Sequence, residues 1–137
     1  MRFFIGLVVV MMSLGCVPYP IYKTLQPAAT AMIVDSDGKP VSGATVVLIS
    51  SAHPYGREQF RMVSITRDGV AQFHTVKDWR IESMMLHGAQ FYFWNWCVSK
   101  EGFRTISTAN TSRTGFEKQP RFQLVAGSST PCPGADR

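Results

Sequence analysis

The sequence predicts an all-β domain, a single antiparallel β-sandwich of about seven strands, and three observations carry that expectation. Short runs rich in Val, Ile, Phe, Tyr and Trp recur along the chain, separated by turns bearing Gly, Asp and Pro. One run, residues 90–99 (QFYFWNWCVS), is apolar on both of its period-two faces, the pattern of a central strand covered on each side or nearly so. No stretch sustains a long helical period. The 137 residues suit one domain, because two cores would each approach the size at which independent folding becomes marginal. With 45% hydrophobic and 17% charged residues, the chain fits neither a disordered protein nor a polytopic membrane protein.

The first element is an address. Arg2 precedes an uncharged run of 13 residues, 3–15, which is the layout of a secretory signal. As helix the run spans about 20 Å, short of a hydrocarbon core of about 30 Å, and Pro18 and Pro20 block its extension. The run ends in Ser13-Leu14-Gly15-Cys16, which resembles the lipobox of bacterial lipoproteins, with Ser13 and Leu14 in exchanged order. The resemblance implies a signal peptide over 1–15 and a diacylglycerol on Cys16. Val17 after the cysteine is similar to an outer-membrane sorting signal. Several acyl chains, each contributing ~0.8 kcal/mol per buried CH₂, hold a protein on a membrane where one is marginal. Lipid on Cys16 leaves Cys97 and Cys132, either as two separate thiols or as one bridge in an oxidising compartment. The bridge closes a loop of about 36 residues, worth roughly 4 kcal/mol in the chain-entropy model.

Residues 16–27, with three prolines and no period, read as a lipidated tether. The sandwich is expected over 28–125. Residues 29–34 form a short apolar run, and Asp35-Ser36-Asp37-Gly38-Lys39-Pro40 is a dense turn signal. Residues 44–50 (ATVVLIS) are β-branched and follow Gly43. Residues 60–66 and 70–76 read as a hairpin around Arg67-Asp68-Gly69, with Gly69 supplying positive φ and Ala71 and Phe73 sharing one face. Residues 79–86 are ambiguous and lean towards strand; 103–108 continue as neighbour to 90–99, and 121–125 are the last strand. The tail, 126–137, has no period and carries Cys132.

Asp35-Ser36-Asp37-Gly38-Lys39-Pro40-Val41-Ser42-Gly43-Ala44-Thr45-Val46 resembles the opening of carboxypeptidase regulatory-like domains, in which D-x-x-G-x-P-[VL]-x-G-A-x-V makes a first turn and enters a strand. Asp35 suits a turn acceptor, Gly38 a left-handed position, Pro40 an edge, and Gly43 a close approach. Thr66-Arg67-Asp68-Gly69 is similar to the second turn of that family, and Lys100, Gly102 and Phe103 to its late one. The likeness spans about 28–125 and departs in 51–59 and 75–89. It implies a transthyretin-like, Ig-like sandwich serving as an accessory, binding or scaffold module with no catalytic residues. Transthyretin-like hydroxyisourate hydrolases end in Tyr-Arg-Gly-Ser, whereas this chain ends Pro133-Gly134-Ala135-Asp136-Arg137.

Catalytic and metal signatures are missing from the sequence. An EF-hand starting at Asp35 needs an acid where Val46 stands, and His53, His74 and His87 show no ligand spacing. There is no G-x-S-x-G elbow and no phosphate loop. No enzyme activity, cofactor or metal is therefore expected. Without Arg2 the chain has 13 basic and 9 acidic residues, a scattered +4 that lacks the density of a nucleic-acid arm. The aromatic set Phe91, Tyr92, Phe93, Trp94 and Trp96 is assigned to the core. Contact with a protein partner is expected from two polar loops that each carry one aromatic, with Tyr55 and Arg57 in the first and Arg113 and Phe116 in the second. The expectation is a non-enzymatic lipoprotein on the outer membrane, facing the periplasm; the alternative is an immunity lipoprotein against a toxin of the type VI kind.

Overall fold

The computed structural model describes residues 18–53, 59–83 and 90–135, which form nine strands and one 3-10 turn. The strands are β1 (Pro18–Gln26), β2 (Ala29–Val34), β3 (Thr45–His53), β4 (Gln59–Ile65), β5 (Val70–Phe73), β6 (Val76–Ser83), β7 (Phe91–Ser99), β8 (Ile106–Ser107) and β9 (Arg121–Gln123). They make a four-stranded sheet, β4-β3-β7-β8, a three-stranded sheet, β5-β2-β9, and a two-stranded ribbon, β1-β6. Among the described residues no helix is long and apolar enough to cross a membrane.

The all-β class holds, and the two larger sheets face each other across one core, as in a sandwich. Val46, Leu48 and Ala52 of β3 and Tyr92, Trp94, Trp96 and Val98 of β7 meet Ala29, Ala31 and Ile33 of β2 and Ala71 and Phe73 of β5. Period two selects these sets, as the alternation predicts. Trp96 is the centre. Its ring lies 5.4 Å from Phe73, 5.5 Å from Phe116 and 6.2 Å from Phe122. The opposite face of β3 and β7 is also apolar at its far end, where Val47, Ile49 and Cys97 are covered by Cys132 and Ala135 of the tail. Cys97 and Cys132 are joined by a disulfide, with their Cα atoms 5.8 Å apart. β7 is thus a central strand with cover on both sides over that half.

Four expectations need correction. Residues 18–26 are not an irregular tether: they form β1, antiparallel to β6, with Tyr22 opposite Trp79. Prolines 18 and 20 are two residues apart, so one open edge of a two-stranded ribbon accommodates both missing N–H groups. Residues 60–66 and 70–76 are not a hairpin, for β4 pairs with β3 and β5 with β2, in different sheets. The turn makes a single rung, Arg67 with Val70, before the strands part. The sheet containing β2 is mixed, because β9 runs parallel to it. The described residues form nine short strands instead of about seven, and β1 is the one that no expected run anticipates.

Strand β6 resolves the ambiguous segment as extended up to Ser83; residues 84–89 lie outside the described residues. The register of β1 shifts between Thr24 and Gln26, a bulge that leaves Leu25 and Gln26 both buried. The Leu25 carbonyl accepts the Trp94 indole N–H at 2.8 Å, fastening the ribbon to the core.

Candidate functional site

One end of the sandwich is built of turns, where the sequence placed Asp35, Gly38, Pro40, Gly43 and Gly69. Asp35 Oδ1 accepts from the backbone N–H groups of Asp37 and Lys39, each at 2.9 Å, and its own carbonyl accepts from Gly38 at 3.1 Å. Gly38, Gly43 and Gly69 all have φ between 74° and 79°. Pro40 bridges Val34 at the edge of β2. Gly69 sits where a Cβ would lie 2.7 Å from the Ile33 carbonyl oxygen and 2.8 Å from Pro40 Cβ. Thr66 ties the two turns together: its hydroxyl donates to Val41 O at 2.7 Å and accepts from Ala44 N–H at 2.9 Å. Lys100 Nζ donates to Ser42 O at 2.7 Å, bringing the late turn to the first. These residues satisfy one another's backbone groups, so their role is architectural.

The second partner loop, 109–116, packs against β7. Asn95 and Asn110 exchange bonds: Asn95 Nδ2 donates to Asn110 O at 3.1 Å, and Asn110 N–H donates to Asn95 Oδ1. Asn110 Nδ2 also reaches Trp94 O at 3.2 Å, and Thr108 Oγ1 accepts the Trp96 N–H at 2.8 Å. The loop then makes its 3-10 turn at Arg113–Gly115. Arg113 is exposed, yet held twice. Its Nε donates to Tyr92 O at 3.2 Å, and its guanidinium carbon lies 5.8 Å from the Trp94 ring centroid, a cation–π distance.

Phe116 is placed differently from the expectation of a contact residue. It is half-buried, stacked on Trp96 at 16° between planes and 5.4 Å from Trp94. Its ring closes the core, leaving Arg113 as the exposed member of the pair. Tyr55 and Arg57 lie outside the described residues, as does Cys16. No local pattern marks Trp94 as the seat of Arg113, because the two are 19 positions apart and only folding superposes them.

Among the described residues no group of three or more His, Cys, Asp or Glu side chains could hold a metal. Three of the grooves among the described residues are lined by Gln59–Val63 with Gly134, by Ser64, Ile65, Arg67, Val70 and Gln72, and by Tyr22 with residues 74–77. The arrangement at 109–116 suits recognition: a cation and polar backbone held in fixed geometry on a packed scaffold. No family model matches the chain, and comparison with the curated proteins and with solved structures returned no match.

Proposed function

We propose that this chain is a non-enzymatic, lipid-anchored module of the bacterial envelope that binds a protein partner through the face bearing residues 109–116. The observation that carries the reading is Arg113, exposed but locked onto Trp94 and Tyr92 O, a cation whose side-chain freedom is already spent before a partner arrives. The anchor rests on Ser13-Leu14-Gly15-Cys16 after an apolar run, and outer-membrane location on Val17. The turn motif from Asp35 to Val46 supports a carboxypeptidase regulatory-like sandwich, whose common role is accessory or binding.

Two measurements test the reading. Cys16→Ser releases the protein from the membrane fraction; unchanged partition removes the anchor. Cross-linking from intact envelopes captures a partner with the unaltered chain and loses it with Arg113→Ala while the melting temperature stays put. Equal capture by both chains removes the assignment of this face. The narrower role of an immunity protein requires that partner to be a periplasmic toxin bound at nanomolar affinity.

A further inference from the structure

The β1-β6 ribbon is inverted relative to an ordinary half-buried strand pair, in which apolar residues face the core and polar ones face water. Cross-strand partners share a face, and the register places Pro20 with Ile81, Tyr22 with Trp79, and Thr24 with Lys77. On this outward face Ile81 is 79% exposed, Trp79 63% and Tyr22 56%, and the Tyr22 and Trp79 rings touch with centroids 5.2 Å apart. The inward face holds all the ribbon's charges except Lys77. Lys23 pairs with Glu82 there, the two side chains only 12% and 6% exposed, and Arg80 meets Asp78 at 2.9 Å at the wet margin, with Asp78 54% exposed. A ribbon with a buried ion pair inside and a Trp-Tyr-Ile ridge outside leaves its main apolar area uncovered.

Chain geometry points to what covers it. Cys16 precedes Pro18, the first residue of β1, by two positions, a reach of at most ~7 Å. Pro18 itself lies on the outward face, opposite Ser83. An acyl chain on Cys16 therefore enters the bilayer beside the ridge. Tyr and Trp are the side chains that settle at the boundary of headgroups and acyl chains, and Lys77 on the same face suits anionic headgroups. We infer that the outward face of the β1-β6 ribbon lies on the bilayer surface, with Tyr22, Trp79 and Ile81 inserted at the headgroup boundary, so that the sandwich is held in one orientation. This inference rests on the lipid-anchored reading and adds a second, non-covalent membrane contact to it.

The test uses the full chain isolated from envelopes and reconstituted into vesicles of phosphatidylethanolamine with a minor share of phosphatidylglycerol, with lipids brominated near the headgroup as quenchers. Trp94 and Trp96 are buried, so quenching reports Trp79. The expected result is a partial loss of emission that disappears in Trp79→Phe and shrinks in the double variant Tyr22→Ser, Ile81→Ser. Quenching that is absent, or unchanged in Trp79→Phe, overturns the inference. Protection of Trp79 from aqueous iodide without quenching by lipid also overturns it, in favour of a protein on the ridge. Mass analysis of Cys16 on the same sample separates the two readings: an acylated, unquenched chain defeats the bilayer contact alone, and a quenched chain without lipid defeats the anchor alone while upholding the contact.

Discussion

Gly69 and Gly102 share a backbone conformation, with φ of 76° and 82°, but not a neighbourhood. A Cβ on Gly102 meets nothing within 4 Å, whereas on Gly69 it strikes the carbonyl of Ile33 and the ring of Pro40. Gly102→Ala should therefore cost about 1 kcal/mol of left-handed strain, and Gly69→Ala about 3 kcal/mol or more, because rigid backbone must move as well. Urea midpoints of the two variants check the difference; equal shifts would show that conformation alone sets the cost. Phe116 and Arg113 separate in the same manner. Phe116→Ala opens space between Trp94 and Trp96 and should destabilise by about 3 kcal/mol, while Arg113→Ala should change thermal stability by less than about 1 kcal/mol. The turn role of Asp35 was legible because its partners are two and four residues away. The burial of Phe116 was not, since a polar loop with one aromatic reads the same whether the ring faces outwards or inwards.

At the level of elements, the ion pair of Lys23 and Glu82 joins β1 to β6, and Lys23 also donates to Gln90 O just before β7. Both side chains are nearly out of water, so removing one leaves a buried charge without its partner. Lys23→Met or Glu82→Leu alone should cost about 3 kcal/mol, whereas both together should be close to neutral. Thermal melts of the four-member cycle check this; additive losses would mean that the charges act independently. No local pattern announces this pair, which is separated by 59 positions. The same distance hid β1, whose partner strand begins 50 residues after it ends. Strand propensity in Tyr19, Ile21, Tyr22 and Thr24 was present, but the prolines outweighed it on a purely local reading. The turn at Arg67–Val70 was legible as a turn, and its positive φ at Asp68 and Gly69 agrees with a two-residue connection. That it turns a corner between sheets is decided by Thr66, which is held to Val41 and Ala44.

Across the whole molecule, the bridge between Cys97 and Cys132 ties the tail over the outer face of β3 and β7, where Val47 and Ile49 shelter. Replacing both cysteines by alanine should lower stability by up to roughly 4 kcal/mol, the chain-entropy value for so long a loop, and expose that second apolar cluster. Denaturant unfolding with and without reductant checks it: reductant should reproduce the loss in the unaltered chain and do nothing to the double variant. Composition, alternation and short-range turn chemistry were enough to specify an all-β chain, its surest central strand, its tight turns and two cysteines left over for a bridge or for separate thiols. Each of those depends on residues within a few positions of one another, or on simple counting. Which strand pairs with which, the parallel course of β9 beside β2, the incorporation of residues 18–26 as a strand, and the seating of Arg113 on Trp94 all depend on contacts between distant segments. Such contacts form only because burying Trp96 and its neighbours draws the two sheets together, and one local pattern is compatible with several such pairings.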